Sequence, residues 1–120
     1  MAFEKFTQKG RSFRPLVAIW SRGQIGFNQG AVNLCKIKRD YYAVFFFDPE
    51  ENKVGIKFTQ DSTEEGAFKL NVYNTGAFVS AKAFLDYHQI NHESTVKYEV
   101  TYDTVNEMFV IDLNKGLSKK

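Results

Sequence analysis

The sequence predicts an α+β domain, mostly β, in which two ββαββ repeats form one pseudo-two-fold β-barrel with two short helices. Residues 16–58 and residues 69–113 follow the same order of strand, glycine turn, strand, short helix, long strand, turn and strand. Gly23 of the first repeat recurs as Gly76 of the second, and such internal repetition indicates two copies of one structural unit. One copy is too small to bury its own hydrophobic face. The two copies are therefore expected to exchange hairpins around a shared core.

The first repeat follows an N-terminal basic arm, residues 1–15, that ends at Pro15. Its predicted elements, in chain order, are strand 17–20, turn 21–23, strand 24–27, helix 31–35, strand 41–47, turn 48–52 and strand 54–58. The short connection containing Gly23 is typical of a β-hairpin, and Asn28 is a favoured helix N-cap. The continuous apolar run at 41–47 predicts a strand that is covered on both faces.

The second repeat follows a polar, acidic linker at residues 59–66. Its predicted elements, in chain order, are strand 68–72, turn 73–76, strand 77–79, helix 81–88, strand 96–102, turn 103–106 and strand 108–113. Ser80 is expected to cap the helix, because serine is among the preferred N-cap residues. Residues 114–120 are expected to form a frayed basic tail. The whole of 16–113 is thus one domain made of two repeats.

Length and composition place the chain among ordinary globular proteins. A chain of 120 residues has the size of one domain. Its single cysteine, Cys35, cannot form an internal disulfide, which favours a reducing, cytoplasmic location. Residues 1–10 lack the apolar core of a signal peptide, and no apolar run approaches the ~20 residues needed to span a bilayer. We therefore expect no association with membranes.

Charge is distributed unevenly along the chain. Residues 1–39 carry 8 basic residues and 1 acidic residue, whereas residues 40–120 carry 8 basic and 13 acidic residues. A one-sided basic region is typical of a protein that binds a polyanion, although a solvated basic face is the simpler alternative. The candidate phosphate-binding residues are Lys9, Arg11, Arg14, Arg22, Lys36, Lys38 and Arg39. Gln24 adds an amide that can read the edge of a base.

Four features of the first repeat form one pattern: the segment Ser21-Arg22-Gly23-Gln24-Ile25-Gly26-Phe27, the short helix after it, Ile37 and the segment Val54-Gly55-Ile56. This pattern resembles the AbrB/MazE/MraZ swapped-hairpin family. The tandem arrangement on one chain is most similar to MraZ, and the resemblance extends over residues 16–113. It implies a swapped-hairpin barrel and the function of a DNA-binding regulator or an antitoxin, dimeric or of higher order. The chain departs from the family in the helices. Positions that often hold DNA-contacting arginines are Val32, Asn33, Leu85 and Asp86 here.

Two functional hypotheses follow. The first is a small DNA-binding protein, with no enzymatic activity, that uses its basic first repeat. The second is a protein-protein interaction or self-assembly module, antitoxin-like, in which the basic half of one copy meets the acidic half of another. Exposed aromatic side chains could also stack on single-stranded bases, the candidates being Trp20, Tyr41, Tyr42 and Tyr73. Core packing or cross-strand pairing is the alternative role for these rings.

No constellation of residues predicts catalysis or cofactor binding. His88 and His92 have the spacing of metal ligands on a helix, but no third ligand is near, so no metal site is predicted. Cys35 lies on the apolar side of the first helix and is not expected to act as a nucleophile. The carboxylates around Asp61 are explained by a solvated loop. The chain also lacks a glycine-rich phosphate loop and a Ser/His/Asp pattern.

Overall fold

The computed structural model describes residues 14–117. Within this range the elements, in chain order, are β1 (Leu16–Ile19), β2 (Gln24–Asn28), α1 (Gln29–Cys35), β3 (Tyr42–Asp48), β4 (Lys53–Thr59), β5 (Ala67–Lys69), β6 (Asn71–Tyr73), β7 (Gly76–Ser80), α2 (Lys82–Tyr87), β8 (Val96–Asp103), β9 (Met108–Asp112) and a 3-10 turn at Leu113–Lys115. The protein is therefore mostly β with two short helices, as the sequence predicts.

All nine of these strands belong to one antiparallel sheet with the order β5-β3-β4-β9-β8-β1-β2-β7-β6. The two end strands, β5 and β6, are separated in the chain by Leu70 alone. Leu70 is buried, and its N–H donates to the carbonyl of Tyr41 at 3.3 Å. The segment from β5 to β6 thus connects the two ends of the sheet and produces a nearly closed antiparallel barrel.

The two halves of the chain pair with each other in a reciprocal way. In the first half β1 pairs with β8, and in the second half β5 pairs with β3. The initial strand of each half therefore lies against the long strand that follows the helix of the other half. The remaining strand pairings between the halves, β2 with β7 and β4 with β9, join equivalent strands. Neither half forms a separate sheet.

The core lies inside the barrel, where alternate residues of each strand point inward. The largest side chains with essentially no exposure are Val17, Ile19, Ile25, Val54, Ile56, Val79, Leu85 and Ile111. Each half supplies some of them, and α1 and α2 add Ala31 and Leu85. A single hydrophobic core is thus built from both halves of the chain.

The two helices begin differently. Asn28 caps α1 as expected, since its side-chain oxygen accepts from the N–H of Ala31 at 2.8 Å. The predicted cap of the second helix, Ser80, is wrong. Ser80 is the last residue of β7, where it pairs with Gln24, and α2 starts after Ala81 without a side-chain cap. Strand pairing has extended β7 by the residue that local preference assigns to the helix.

Two further expectations need correction. The apolar run of β3 was predicted to be covered on both faces, yet Phe46 is 40% exposed and the ring of Tyr42 is only half-buried. The ammonium group of Lys57 lies over the ring of Phe46, and that of Lys69 lies over the ring of Tyr42. The tail, predicted to be frayed, instead includes a 3-10 turn at Leu113–Lys115, and the N–H of Leu117 donates to the carbonyl of Lys97 at 2.8 Å. Residues 118–120 lie outside the described residues.

Candidate nucleic-acid interface

The predicted basic residues are distributed over several parts of the fold. Lys9 and Arg11 lie outside the described residues. Arg14 precedes β1 and Arg22 lies in the turn after it, so the two are at opposite ends of a four-residue strand, which is about 13 Å long at the rise of a β-strand. Arg14 forms an ion pair with Glu99 of the neighbouring strand β8. Its charge is therefore balanced within the protein.

The basic residues after α1 lie on a different part of the barrel. Lys36 lines a surface cavity of about 300 Å³ together with Phe58 of β4 and Phe109 of β9, and Glu107 is in the same wall. In the strand order β4 and β9 are separated from β2 by β8 and β1. Lys38 and Arg39 are exposed in the loop that leads to β3. Of the described candidates, only Arg14, Arg22 and Gln24 belong to the β1–β2 hairpin region.

That hairpin is part of a surface with aromatic side chains. We call it the Trp20 face, defined as the outer side of β1, β2, β7 and β6 with Trp20, Gly26, Tyr73 and Phe78. The six-membered ring of Trp20 lies over Gly26, where a Cβ atom would be only 2.5 Å from Cζ2 of the indole. Phe78 pairs with Gly26 across the ladder. The ring centroids of Trp20 and Tyr73 are 6.3 Å and 5.9 Å from that of Phe78.

A cavity of about 300 Å³ opens on the Trp20 face. Its walls include Trp20, Tyr73, Asn28, Thr75 and Lys97. The Asn28 amide is already engaged, since its oxygen accepts from two backbone N–H groups and its nitrogen donates to the carbonyl of Arg14. The hydroxyl of Thr75 and the ammonium of Lys97 have no side-chain hydrogen bond or ion pair within residues 14–117. They are the polar groups that this cavity offers to a ligand.

The Trp20 face is positively charged because its strands contain no acidic residue. Residues 16–28 and 71–80 include no Asp or Glu, and Arg22 is their sole charged residue. Lys97, opposite Ala18 in the β1–β8 ladder, adds a second cation at the edge of the face. The acidic neighbour of Lys97 on the outer side of β8, Glu99, is paired with Arg14. An anion approaching the cavity therefore meets Lys97 and aromatic rings, whereas the turn that carries Arg22 also borders a cavity lined by Asp86 and Glu93.

The turn that carries Arg22 is held in position by the second half of the chain. Gly23 has a φ of 89°, which glycine adopts without strain. Its carbonyl accepts from the N–H of Ala81 at 3.0 Å, just before α2. The carbonyl of Ser21 is 3.2 Å from Nδ1 of His92, and the N–H of Ser21 donates to Thr95. Arg22 thus projects from a turn that is fixed on both sides.

Sequence reasoning found part of this site. Trp20, Tyr73, Arg22 and Gln24 were all candidates, although they were assigned to two separate hypotheses. It missed Phe78, Thr75 and Lys97. Alternation along β7 and β8 would have placed Phe78 and Lys97 on the outer side. No local signal shows that β8 lies next to β1, or that β6 and β7 lie next to β2, so the sequence could not place these residues beside Trp20.

The groups considered for metal binding or catalysis have structural roles. His88 packs against the rings of Phe47, Phe84 and Tyr87, whereas His92 contacts Asp86 at 3.0 Å and Ser21. Residues 14–117 contain no cluster of three potential metal-ligating His, Cys, Asp or Glu side chains. Burial raises the pKa of the Cys35 thiol to about 12, so the thiol stays protonated at neutral pH and is a poor nucleophile.

Comparison with known proteins leaves the family unassigned. No family model matches the chain, and neither a curated protein nor a solved structure with significant similarity is found. Neither helix in residues 14–117 has the length and apolar character needed to cross a membrane.

Proposed function

We propose that this protein is a small nucleic-acid-binding protein without enzymatic activity and that it binds through the Trp20 face. In this proposal its biological role is that of a cytoplasmic DNA-binding regulator. The observation that carries the proposal is a cavity on a sheet surface whose strands contain no acidic residue, with Lys97 in the wall beside Trp20 and Tyr73 and with Arg22 two residues after Trp20 in the chain. Polyanions are attracted to such surfaces. The interface differs from the one expected from the sequence, because Lys36, Lys38 and Arg39 are not part of it.

The reciprocal pairing of the two halves supports a swapped-hairpin fold of the AbrB/MazE/MraZ kind. In such a fold each half contributes its first strand to the other half, and here β1 pairs with β8 while β5 pairs with β3. We include membership of that family in the proposal. The departures in the helices are consistent with recognition by the sheet instead of by helix arginines, since the equivalent positions are Val32 and Asn33 in α1.

A binding titration over a series of salt concentrations tests the proposal. Fluorescence anisotropy of labelled DNA should report binding that weakens steeply as salt is added, because phosphate contacts release counterions. The double variant Arg22→Ala/Lys97→Ala should bind more weakly and lower the slope of log K against log salt by about two, one for each phosphate contact. Absence of binding to any DNA or RNA probe at low salt would refute the function.

A matched control separates a specific face from general charge. The control Lys38→Ala/Lys57→Ala removes the same net charge from the loop before β3 and from β4, outside the strands of the Trp20 face. We expect this control variant to retain the affinity and most of the salt slope of the wild-type protein. An equal loss in both double variants would mean that binding depends on net charge alone and would contradict the Trp20 face as the interface.

A second candidate function is self-assembly, favoured by the outer side of β3, β4 and β9. Phe46 is 40% exposed there, and a cavity of about 380 Å³ is lined by Phe46, Val110, Asp48, Lys53 and other residues of these strands. Charges of both signs border an apolar centre, so a two-fold contact can pair the lysine of one copy with the aspartate of another. The proposed occupant is therefore a second copy of this chain.

Sedimentation velocity over a range of protein concentrations tests self-assembly. We expect a dimer that dissociates in the variant Phe46→Ser. The control Leu34→Ser changes an apolar residue of similar exposure, 42%, in α1 and should leave the dimer intact. A monomer at every concentration would rule out this second function without affecting nucleic-acid binding.

A further inference from the structure

We propose that the Trp20 face binds single-stranded nucleic acid, with unpaired bases stacking on Trp20 and Tyr73. This inference rests on the proposed nucleic-acid-binding function and specifies its substrate. Proteins that bind single strands combine a positively charged groove with exposed aromatic rings on which bases stack. The Trp20 face has both features within one cavity.

The aromatic rings are arranged to receive bases from the solvent side. Tyr73 is 46% exposed at the end of β6, where only Val72 packs, half-buried, against the core. Trp20 is half-buried because its indole rests on Gly26, where the missing Cβ permits close contact. Phe78 lies between the two, within 6.3 Å of each ring centroid. The rings therefore form a continuous surface across β1, β2, β7 and β6 instead of three isolated contacts.

The shape of the face favours a single strand over a duplex. Four strands spaced about 4.8 Å apart make a surface roughly 14 Å wide before side chains are added. The major groove of B-DNA is only ~12 Å wide and admits a helix or a two-stranded ribbon. Paired bases in a duplex also have their flat faces covered by neighbouring base pairs. Trp20 and Tyr73 could stack only on bases that are unpaired.

The polar groups of the face suit the rest of a nucleotide. Lys97 lies in the cavity wall, and Arg22 lies in the turn that follows Trp20, so one cation lines the cavity and a second is two residues from the indole along the chain. The hydroxyl of Thr75 and the half-exposed amide of Gln24 can donate and accept hydrogen bonds at base edges. An apolar or proline-rich peptide would use the rings but would leave Arg22 and Lys97 without a counter-charge.

Trp20 is the only tryptophan of the chain, so its fluorescence reports on this face directly. The experiment titrates the full-length protein with a mixed-sequence single-stranded DNA of about twelve nucleotides, within the usual range of site sizes. The same sequence as a duplex and a proline-rich peptide are titrated in parallel. We expect saturable quenching of Trp20 by the single strand and at least tenfold weaker binding of the duplex.

Matched variants test the stacking itself. Tyr73→Ala should weaken single-strand binding about tenfold or more, as loss of one base–aromatic stack does elsewhere. Tyr87→Ala, which removes an 82% exposed tyrosine from α2 outside the face, should leave affinity unchanged. Trp20→Phe keeps an aromatic ring with a smaller surface. Its binding, followed by anisotropy, should be weakened less than that of Tyr73→Ala.

The possible outcomes distinguish this inference from the function on which it rests. Duplex binding that equals or exceeds single-strand binding, with no effect of Tyr73→Ala, would overturn base stacking and leave nucleic-acid binding intact. Quenching by the peptide but by neither DNA would overturn both and identify a peptide-binding face. Binding of none of the three probes at low salt would also overturn both.

Discussion

At the scale of single residues, the contact between Trp20 and Gly26 shows how a small residue creates an exposed aromatic surface. A strand residue with a side chain would hold the indole away from the sheet, since a Cβ at Gly26 would be 2.5 Å from Cζ2. With glycine there, the ring lies against the backbone and extends the surface formed by Phe78 and Tyr73. Gly26 costs some strand stability, because glycine is unfavourable in a strand interior. The ring that covers it compensates by packing on the exposed backbone.

His92 links the loop after α2 to the turn that carries Arg22. Hydrogen bonding to Asp86 and to the carbonyl of Ser21 raises the pKa of His92 above its ordinary value of 6.5. The same hydrogen bond, with help from Lys82, lowers the pKa of Asp86 below 3.8. At a pH between those two ordinary pKa values, His92 is protonated and Asp86 is ionised. The ion pair between them is therefore fully formed in mildly acidic solution.

We predict that His92 makes folding stability depend on pH. A histidine whose pKa is higher in the folded state contributes stability that is fully present below pH 6.5 and is lost as the pH rises through the folded-state pKa. Wild-type protein should therefore exceed His92→Gln in melting temperature by more at pH 6 than at pH 9. Lys82→Ala, which leaves the His92–Asp86 pair in place, should keep this pH dependence. A difference independent of pH would contradict the assigned ion pair.

At the scale of secondary structure, the start of α1 depends on one side chain that performs three tasks. The oxygen of Asn28 accepts from Ala31 at 2.8 Å and from Leu16 at 3.1 Å, and its nitrogen donates to Arg14 at 2.8 Å. The cap thus fixes the helix and also ties the segment before β1 to the end of β2. Arg14, which precedes β1, is held by this amide and by its ion pair with Glu99.

We predict that Asn28→Ala destabilises the protein by about 1–3 kcal/mol, since it removes a helix cap and leaves backbone groups without partners. The control is Asn33→Ala, which removes an exposed amide of the same helix that bonds only to Gln29. The free energy of unfolding of Asn33→Ala should stay within ~0.5 kcal/mol of the wild-type value. Urea unfolding of both variants measures the difference, and equal losses would contradict the capping role.

Local rules predict the first helix better than the second. Asn28 ends β2 and pairs with Gly76, yet its side-chain oxygen accepts from the N–H of Ala31 and caps α1, which begins directly after it. Ser80 also ends its strand, opposite Gln24, but α2 begins only after Ala81 and has no side-chain cap. The apolar run of β3 also does not predict that Phe46 is exposed. A run of apolar residues does not show which face of the strand lies against the core and which faces outward.

At the scale of the whole molecule, reciprocal pairing makes the two halves mutually dependent. Neither β1 nor β5 pairs with the long strand of its own half, so each half needs the other to satisfy its backbone. The core is shared in the same way, with Ile25 and Ile56 from the first half and Val79 and Ile111 from the second. Partial unfolding of one half would expose the apolar residues of the other.

We predict a single cooperative unfolding transition in urea. Trp20 fluorescence reports on the first half and far-UV circular dichroism on the whole chain, and the two curves should coincide. Leu70→Ala, at the closure of the barrel, should lower the free energy of unfolding by about 2–5 kcal/mol while the curves still coincide. Two separate transitions would contradict the interdependence of the halves.

The sequence by itself determined what each segment does locally. Alternation decided which side chains of β1 and β4 face inward, Gly23 decided the first hairpin turn, and Asn28 decided the start of α1. The repeat of these patterns also predicted that two halves share one core. These features depend on residues within a few positions of one another, so the periodicity and residue types of a short segment are enough to predict them.

Only the tertiary structure decided which strands are neighbours and therefore which side chains form the candidate site. Trp20 directly after β1, Tyr73 of β6 and Lys97 of β8 line one cavity because β8, β1, β2, β7 and β6 are consecutive in the sheet. The same order places Lys36 on another part of the barrel and pairs Arg14 with Glu99. The pairing of strands that are distant in sequence depends on how the whole core packs. A local sequence pattern carries no information about that packing.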